Sequence, residues 1–174
     1  VIMSEPTNLT LECGDAGNAA AITAWTMANG NMLAVDACDA VTYSFTAGTS
    51  ETLCGMTSST PYTFTAMDAC GNSISAVAYL NTIDTTAPTP GAPTTANSVA
   101  CDGAVGVTLN AWLGSAIGTD NCSATVATTY SLIETVESCD GDNTEIIYTY
   151  AFVFTDECGN ASSLVTSNFT VFDD

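Results

Sequence analysis

Two stretches decide how this chain is read: Tyr62-Thr-Phe-Thr-Ala-Met-Asp68-Ala-Cys70-Gly71-Asn72 and Tyr150-Ala-Phe-Val-Phe-Thr-Asp156-Glu-Cys158-Gly159-Asn160. In each, aromatic or β-branched residues alternate with smaller ones, the period of a half-buried strand, and the run stops at Asp-x-Cys-Gly-Asn. That ending predicts a hairpin turn. Gly71 and Gly159 supply a residue that takes positive φ freely, and the Asp and Asn side chains can bond back to the turn backbone. A second alternating run follows each turn, Ile74 to Tyr79 and Ala161 to Val171. The chain is therefore read as two copies of one β-rich unit.

Working outward, the rest of the chain falls into the same register. Asn8-Leu-Thr-Leu-Glu-Cys13 is matched by Asn97-Ser-Val-Ala-Cys101, and Asp36-Ala-Cys38 by Asp120-Asn-Cys122. Cys54-Gly55 is matched by Cys139-Asp-Gly141. Short helices are predicted from Ala19 to Asn29, around Ile22, Trp25 and Met27, and from Val107 to Leu113 around Trp112. Strands are predicted around Val41 to Phe45 and Thr125 to Leu132. The resulting division is residues 1–84, a Thr/Pro spacer over 85–93, and residues 94–174. Three prolines in the spacer favour an extended, stiff connection.

Composition narrows the function. The 174 residues contain no Lys, Arg or His against 19 Asp and Glu, a formal charge of −19. Without cations the chain cannot neutralise phosphates, which excludes nucleic acid as a partner, and it has no attraction to anionic lipid. No apolar run approaches the length that spans a bilayer, so membrane insertion is not expected. Val1-Ile-Met-Ser-Glu has no basic region and reads as an interior or processed terminus rather than a signal peptide. Every acidic group must be solvated, hydrogen-bonded or bound to a cation, because no side-chain ion pair can form.

The eight cysteines fall in two sets of four, read as disulfides made in an oxidising, extracellular location. Four cysteines allow three pairings. Cys38 precedes one strand and Cys70 ends another expected to lie antiparallel to it, which selects Cys38–Cys70 with Cys13–Cys54, and by register Cys122–Cys158 with Cys101–Cys139. A zinc site is the alternative, but there is no CxxC pair and no histidine. Lysine's absence also rules out isopeptide crosslinks to Asn or Asp.

Asp36, Asp68 and Asp84, with Asp120, Asp156 and Asp173 as counterparts, flank turns or the spacer. No cofactor is expected unless it is calcium, which turn carboxylates with backbone carbonyls suit; no EF-hand pattern appears, and turn-forming aspartates are the favoured explanation of the same residues. Catalysis is not expected, since the usual general base and the nucleophilic or phosphate-binding lysine are missing and two carboxylates alone need a large cleft. Trp25 and Trp112 occupy equivalent places and read as core residues rather than sugar-stacking platforms. Asn-x-Ser/Thr triplets at Asn8, Asn121, Asn160 and Asn168 carry little weight in a Thr-rich chain.

The combination of Glu12-Cys13, Trp25, Asp36-x-Cys38, Cys54-Gly55, Phe64-Thr-x-x-Asp68-x-Cys70-Gly-Asn72 and Ile83-Asp84-Thr-Thr-Ala-Pro88 resembles the tandem immunoglobulin-like or hyalin-repeat-like modules of large secreted surface proteins, including adhesins, of Bacteroidota. The likeness covers essentially the whole chain, twice. It implies an all-β fold of two immunoglobulin-like β-sandwich domains, each with a short helix, and an extracellular scaffold or adhesive role. It also implies O-glycosylation at Thr85 in Asp84-Thr85-Thr86. The expected function is thus a structural subunit or repeat segment of a surface filament, stalk or adhesin, with copies of itself as partners. The alternative is a calcium-dependent module that binds surface glycans or proteins through Tyr43, Tyr62 or Tyr79. For polymerisation, Val1-Ile-Met-Ser-Glu or an exposed sheet edge is the expected donor or acceptor of a strand.

Overall fold

A computed structural model describes residues 1–37, 39–101, 104–140 and 143–173, with backbone alone for 138–140 and 143–144. The chain divides into two compact units, Val1–Thr85 and Thr86–Asp174.

Unit 1 runs β1 (Ile2–Ser4), β2 (Leu9–Glu12), α1 (Asn18–Met27), a 3-10 turn at Asn29–Asn31, β3 (Leu33–Ala34), β4 (Thr42–Ala47), β5 (Glu51–Thr52), β6 (Ser58–Met67) and β7 (Ser73–Ile83). Its main sheet has the order β2-β7-β6-β4, with β5 also on β6, and β1 pairs separately with β3. β6 and β7 form the hairpin read from the sequence, pairing from Ser58↔Thr82 to Met67↔Ser73. β2 joins the other side of β7 in parallel, Leu9 opposite Leu80.

Unit 2 repeats the scheme with β8 (Ser98–Ala100), α2 (Val105–Leu113), β9 (Ala127–Asp140), β10 (Asn143–Thr155) and β11 (Val165–Phe172), ordered β8-β11-β10-β9. Here too the first strand lies parallel to the last, Val99 opposite Val171, and the other pairs are antiparallel. The repeat seen in sequence is a repeat of topology.

Alternation gives each sheet one apolar face. In unit 1 that face carries Phe64, Ala66, Ala78 and Leu80, and Trp25 of α1 packs on it with Met32 and Ala34. The Trp25 ring meets Tyr62 at 5.1 Å and Phe64 at 5.2 Å, both edge-on, the geometry that the ring quadrupoles favour. In unit 2, Trp112 and Leu113 of α2 cover Phe152, Phe154, Phe169 and Val171. Trp112 is 1 % exposed and contacts Phe152 and Phe169 at 5.7 and 5.4 Å.

Among the described residues each unit has one main sheet, whose apolar face is closed by a helix, with the β1–β3 ribbon beside it in unit 1. The main sheet has five strands in unit 1 and four in unit 2, and in each the helix that carries the tryptophan packs on its apolar face.

After α1 the backbone turns sharply: Asn29, Gly30 and Asn31 all take positive φ, at 55°, 63° and 67°. Gly30 is required there twice over, because a Cβ would also stand 2.7 Å from the Phe64 ring. The Gly30 carbonyl accepts the Thr7 amide, and the Thr7 carbonyl accepts the Trp25 indole N–H at 2.9 Å, which fixes the ring over the sheet.

The Thr/Pro segment is not a detached spacer in this structure. Residues 86–93 belong to the second compact unit, Thr89 exchanges two backbone hydrogen bonds with Thr119, and Gly91 sits so close to the Ile117 carbonyl that a Cβ would come within 2.1 Å. Proline removes N–H donors but leaves Thr89 free to pair, which is how the segment is held.

Candidate functional site

Cys13, Cys54, Cys122 and Cys158 are disulfide-bonded, two in each unit. Their surroundings fix the partners. Cys13 follows β2 and donates its amide to Ile83 at the end of β7, while Cys54 is bonded to Thr57 just before β6, whose Ser58 faces Thr82; both cysteines therefore lie at one end of the sheet. In unit 2 the Glu157 amide donates to Ser123 Oγ, setting Cys122 beside Cys158. Cys122 is fully buried. Cys70 and Cys101 are exposed with free thiols. The partners read for them from sequence, Cys38 and the Cys139 side chain, lie outside the described residues, so neither of those two pairings falls within the structure described.

The six aspartates have different fates. Asp68 Oδ1 accepts the amides of Cys70 and Asn72 at 2.9 and 2.8 Å, and Oδ2 accepts the Asn72 side-chain amide at 2.8 Å. Asp156 repeats this with Cys158, Asn160 and the Asn160 side chain at 2.8, 2.8 and 2.9 Å. In the same turns the Asp68 amide bonds the Asn72 carbonyl and the Asp156 amide bonds the Asn160 carbonyl. The Asp-x-Cys-Gly-Asn motif is thus a carboxylate clamp on its own turn, and the lone pairs a cation would need are largely committed to N–H donors.

The clamp shifts acidity. The Asn72 side chain, aided by backbone amides and opposed by desolvation, holds Asp68 below the usual carboxylate range. For Asp156 burial works upward, but the Asn160 side chain and the amides of Asn160, Cys158 and Gly159 together outweigh it, and the carboxyl again lies low. A carboxylate more acidic when folded stabilises the fold above the unfolded value of about 4 and ceases to do so as pH falls through the folded value. Stability should therefore drop on acidification below about pH 4. Asp156→Asn, which keeps size and one acceptor but replaces the Oδ2 that takes the Asn160 side-chain amide by a donor and removes the charge, should flatten that part of the curve in urea titrations at pH 7 and pH 3. An unaltered slope would show that the clamp does not couple to folding.

The remaining four are placed as follows. Asp36 accepts the Asp39 amide at 3.2 Å and shares an open hollow of unit 1 with Asp68 and Asn72. Asp84 is buried at the end of β7, and Asp173 is exposed. Asp120 Oδ1 accepts the amides of Cys122 and Ser123 at 2.7 and 2.9 Å, whereas its Oδ2 is buried with no hydrogen-bond donor from the protein. A carboxylate oxygen in that situation is costly unless it meets a cation or another donor.

The aromatic candidates separate in the same way. Trp25 and Trp112 are in the cores. Tyr43 is half-buried, and its hydroxyl both accepts the Ala34 amide and donates to the Ala34 carbonyl. Tyr62 is half-buried under Trp25. Of the three tyrosines proposed as ligand contacts, Tyr79 alone stands outward, 45 % exposed. Thr85 is exposed, but its hydroxyl donates to Glu12 Oε2 at 3.0 Å and its amide to Oε1 at 2.8 Å. This clasp between the ends of β2 and β7 was not legible in the sequence; the only signal was a lone Glu before the first cysteine of unit 1.

The hollow of unit 1 is lined by Val1, Val41 and Ile74 together with Asp36, Asp68 and Asn72, and no helix among the described residues is long and apolar enough to cross a membrane. No family model matches the chain, and no curated protein matches it.

Proposed function

We propose that this chain is an extracellular structural protein, a subunit or repeat segment of a surface filament, stalk or adhesin. Its two units would be modules of the immunoglobulin-like or hyalin-repeat-like kind, with a helix where a second sheet might be sought, and copies of itself as partners. The observation that carries this is a disulfide inside each small β-rich unit. Units of this size bury a modest core and gain most from covalent staples, and such staples persist only where the surroundings are oxidising. A chain with no Lys or Arg also gives trypsin-like proteases nothing to cut. Stapled cores and a protease-silent sequence suit a protein that must last where no chaperone repairs it. On this reading the clefts serve no catalysis, and the Cys70 and Cys101 thiols, free in this structure, close onto Cys38 and Cys139 in the mature extracellular protein.

Cryo-electron microscopy of native material, with intact mass before and after reduction, tests the reading. The expected result is ordered polymers or beaded arrays built from a chain about 8 Da lighter than its reduced form. Isolated monomers that retain free thiols would overturn it.

A calcium-dependent binding module is the second reading, and the buried Asp120 Oδ2 favours it. Calcium titrated calorimetrically into the full chain should give saturable heat that Asp120→Asn abolishes. If calcium instead bridges copies against the −19 charge, excess chelator should dissolve the assemblies; assemblies unchanged in chelator, with no heat on titration, would remove calcium from the account.

A further inference from the structure

The unit 1 sheet turns one face away from Trp25 and toward solvent. Residues opposite one another in the ladder share a face, so Phe64, Ala66, Ala78 and Leu80 on the core side place Thr63, Thr65, Met67, Ser75, Val77 and Tyr79 on the outer side. Met67, Val77 and Tyr79 are 45 %, 51 % and 45 % exposed, and Thr65 and Ser75 bond hydroxyl to hydroxyl at 2.8 Å across the strands. Thr42, Ser44 and Thr46 of β4 continue this side. Carboxylates stand at the two ends of the strip among the described residues: Glu51 opposite Ser59 and Glu12 opposite Ile83 at one, and at the other Asp68 directly after Met67, with Asp39 at the Cys70 thiol of the same turn. Between those ends, in a chain of formal charge −19, the strip carries hydroxyl side chains with Val77 and Tyr79 at its centre.

Resting on the filament reading above, we propose that this face is a lateral contact between two copies of the chain, packed sheet on sheet about a two-fold axis. Charge selects the occupant. Two copies repel over most of their surface, so the approach that costs least brings their uncharged strips together, leaving like charges at the rim. The size fits as well. The 11 residues of β7 run about 36 Å, and three to four strands at about 4.8 Å spacing give roughly 500 Å² per copy, about 1,000 Å² for the pair, the lower bound for a specific interface. A self-complementary contact of this kind closes on itself, so it pairs chains side by side and does not propagate a fibre.

Sedimentation velocity of the disulfide-intact full chain, over a range of concentration and of NaCl, tests the proposal. The wild type should dimerise more tightly as salt screens the rim. Thr65→Glu with Val77→Glu should weaken dimerisation at least tenfold with an unchanged far-ultraviolet spectrum; Tyr79→Ser gives the same readout without added charge, and Val107→Glu, exposed on α2, should change nothing. Dimers that survive both face variants would overturn this face and leave the polymer reading standing. A wild type that never pairs, yet forms fibres in micrographs, would do the same. A wild type that neither pairs nor polymerises would remove both. Binding of a neutral glycan that the face variants abolish, without self-association, would make the face a ligand platform and overturn the pairing.

Discussion

Replacing Cys122 and Cys158 together by alanine should destabilise unit 2 by about 4 kcal/mol, the chain-entropy estimate for a loop of some 36 residues. Cys122 is fully buried beside Ser123, and Cys158 lies in the turn that Asp156 clamps. The bond therefore ties the loop before β9 to the β10–β11 hairpin, two places far apart in sequence. Breaking it returns conformational freedom to the unfolded chain while leaving the sheet hydrogen bonds intact, so the native fold survives but melts earlier. For a unit of this size the midpoint should fall by about 15 °C or more. Calorimetry of the full chain and the double variant measures this, and a shift of only a degree or two would show that the sheet and α2 hold the unit without the staple. Since trypsin has no site, the bond itself is mapped with a protease that cuts at Glu, comparing fragments before and after reduction.

Trp112→Ala should cost unit 2 about 4 kcal/mol, the upper range for truncating a large aromatic in a core. Its ring is 1 % exposed and meets Tyr150, Phe152 and Phe169 from α2, so truncation opens a cavity within the unit 2 core. The same substitution separates core from platform. A sugar-stacking tryptophan would be lost with little change in stability and a large loss of glycan retention, whereas a core tryptophan gives an early melt and no selective binding change. A near-wild-type melting curve would contradict the packing described.

The two effects differ in how visible their causes are in the sequence. The turn at Asp156 could be read directly, because Asp, Gly and Asn within five residues satisfy one another through contacts that need nothing from the rest of the chain. The faces of the strands were equally legible. Alternation at Tyr62, Phe64 and Ala66, or at Tyr150, Phe152 and Phe154, states which side is buried before any partner is known. The pairing of the two units residue by residue followed from the same motifs.

What covers those faces could not be read in this way. Trp25 marks a helix that packs somewhere, yet that α1 lies on the face carrying Phe64 and Ala78 depends on the sheet that forms once β2 joins β7 in parallel, Leu9 opposite Leu80. The fates of the aspartates were hidden for the same reason. Asp68 and Asp156 are spent on their own turns, while the bare oxygen of Asp120 emerges only when the backbone around it is placed. Tyr43, Tyr62 and Tyr79 look alike as residues, but a hydroxyl held by Ala34, a ring under Trp25 and an outward position on β7 make them different objects. Interactions between neighbours in sequence are encoded where they occur. Those between distant strands, including the uncharged outer face of unit 1, exist only once the chain has chosen which edges to join, and that choice is made by burial of the whole apolar surface at once.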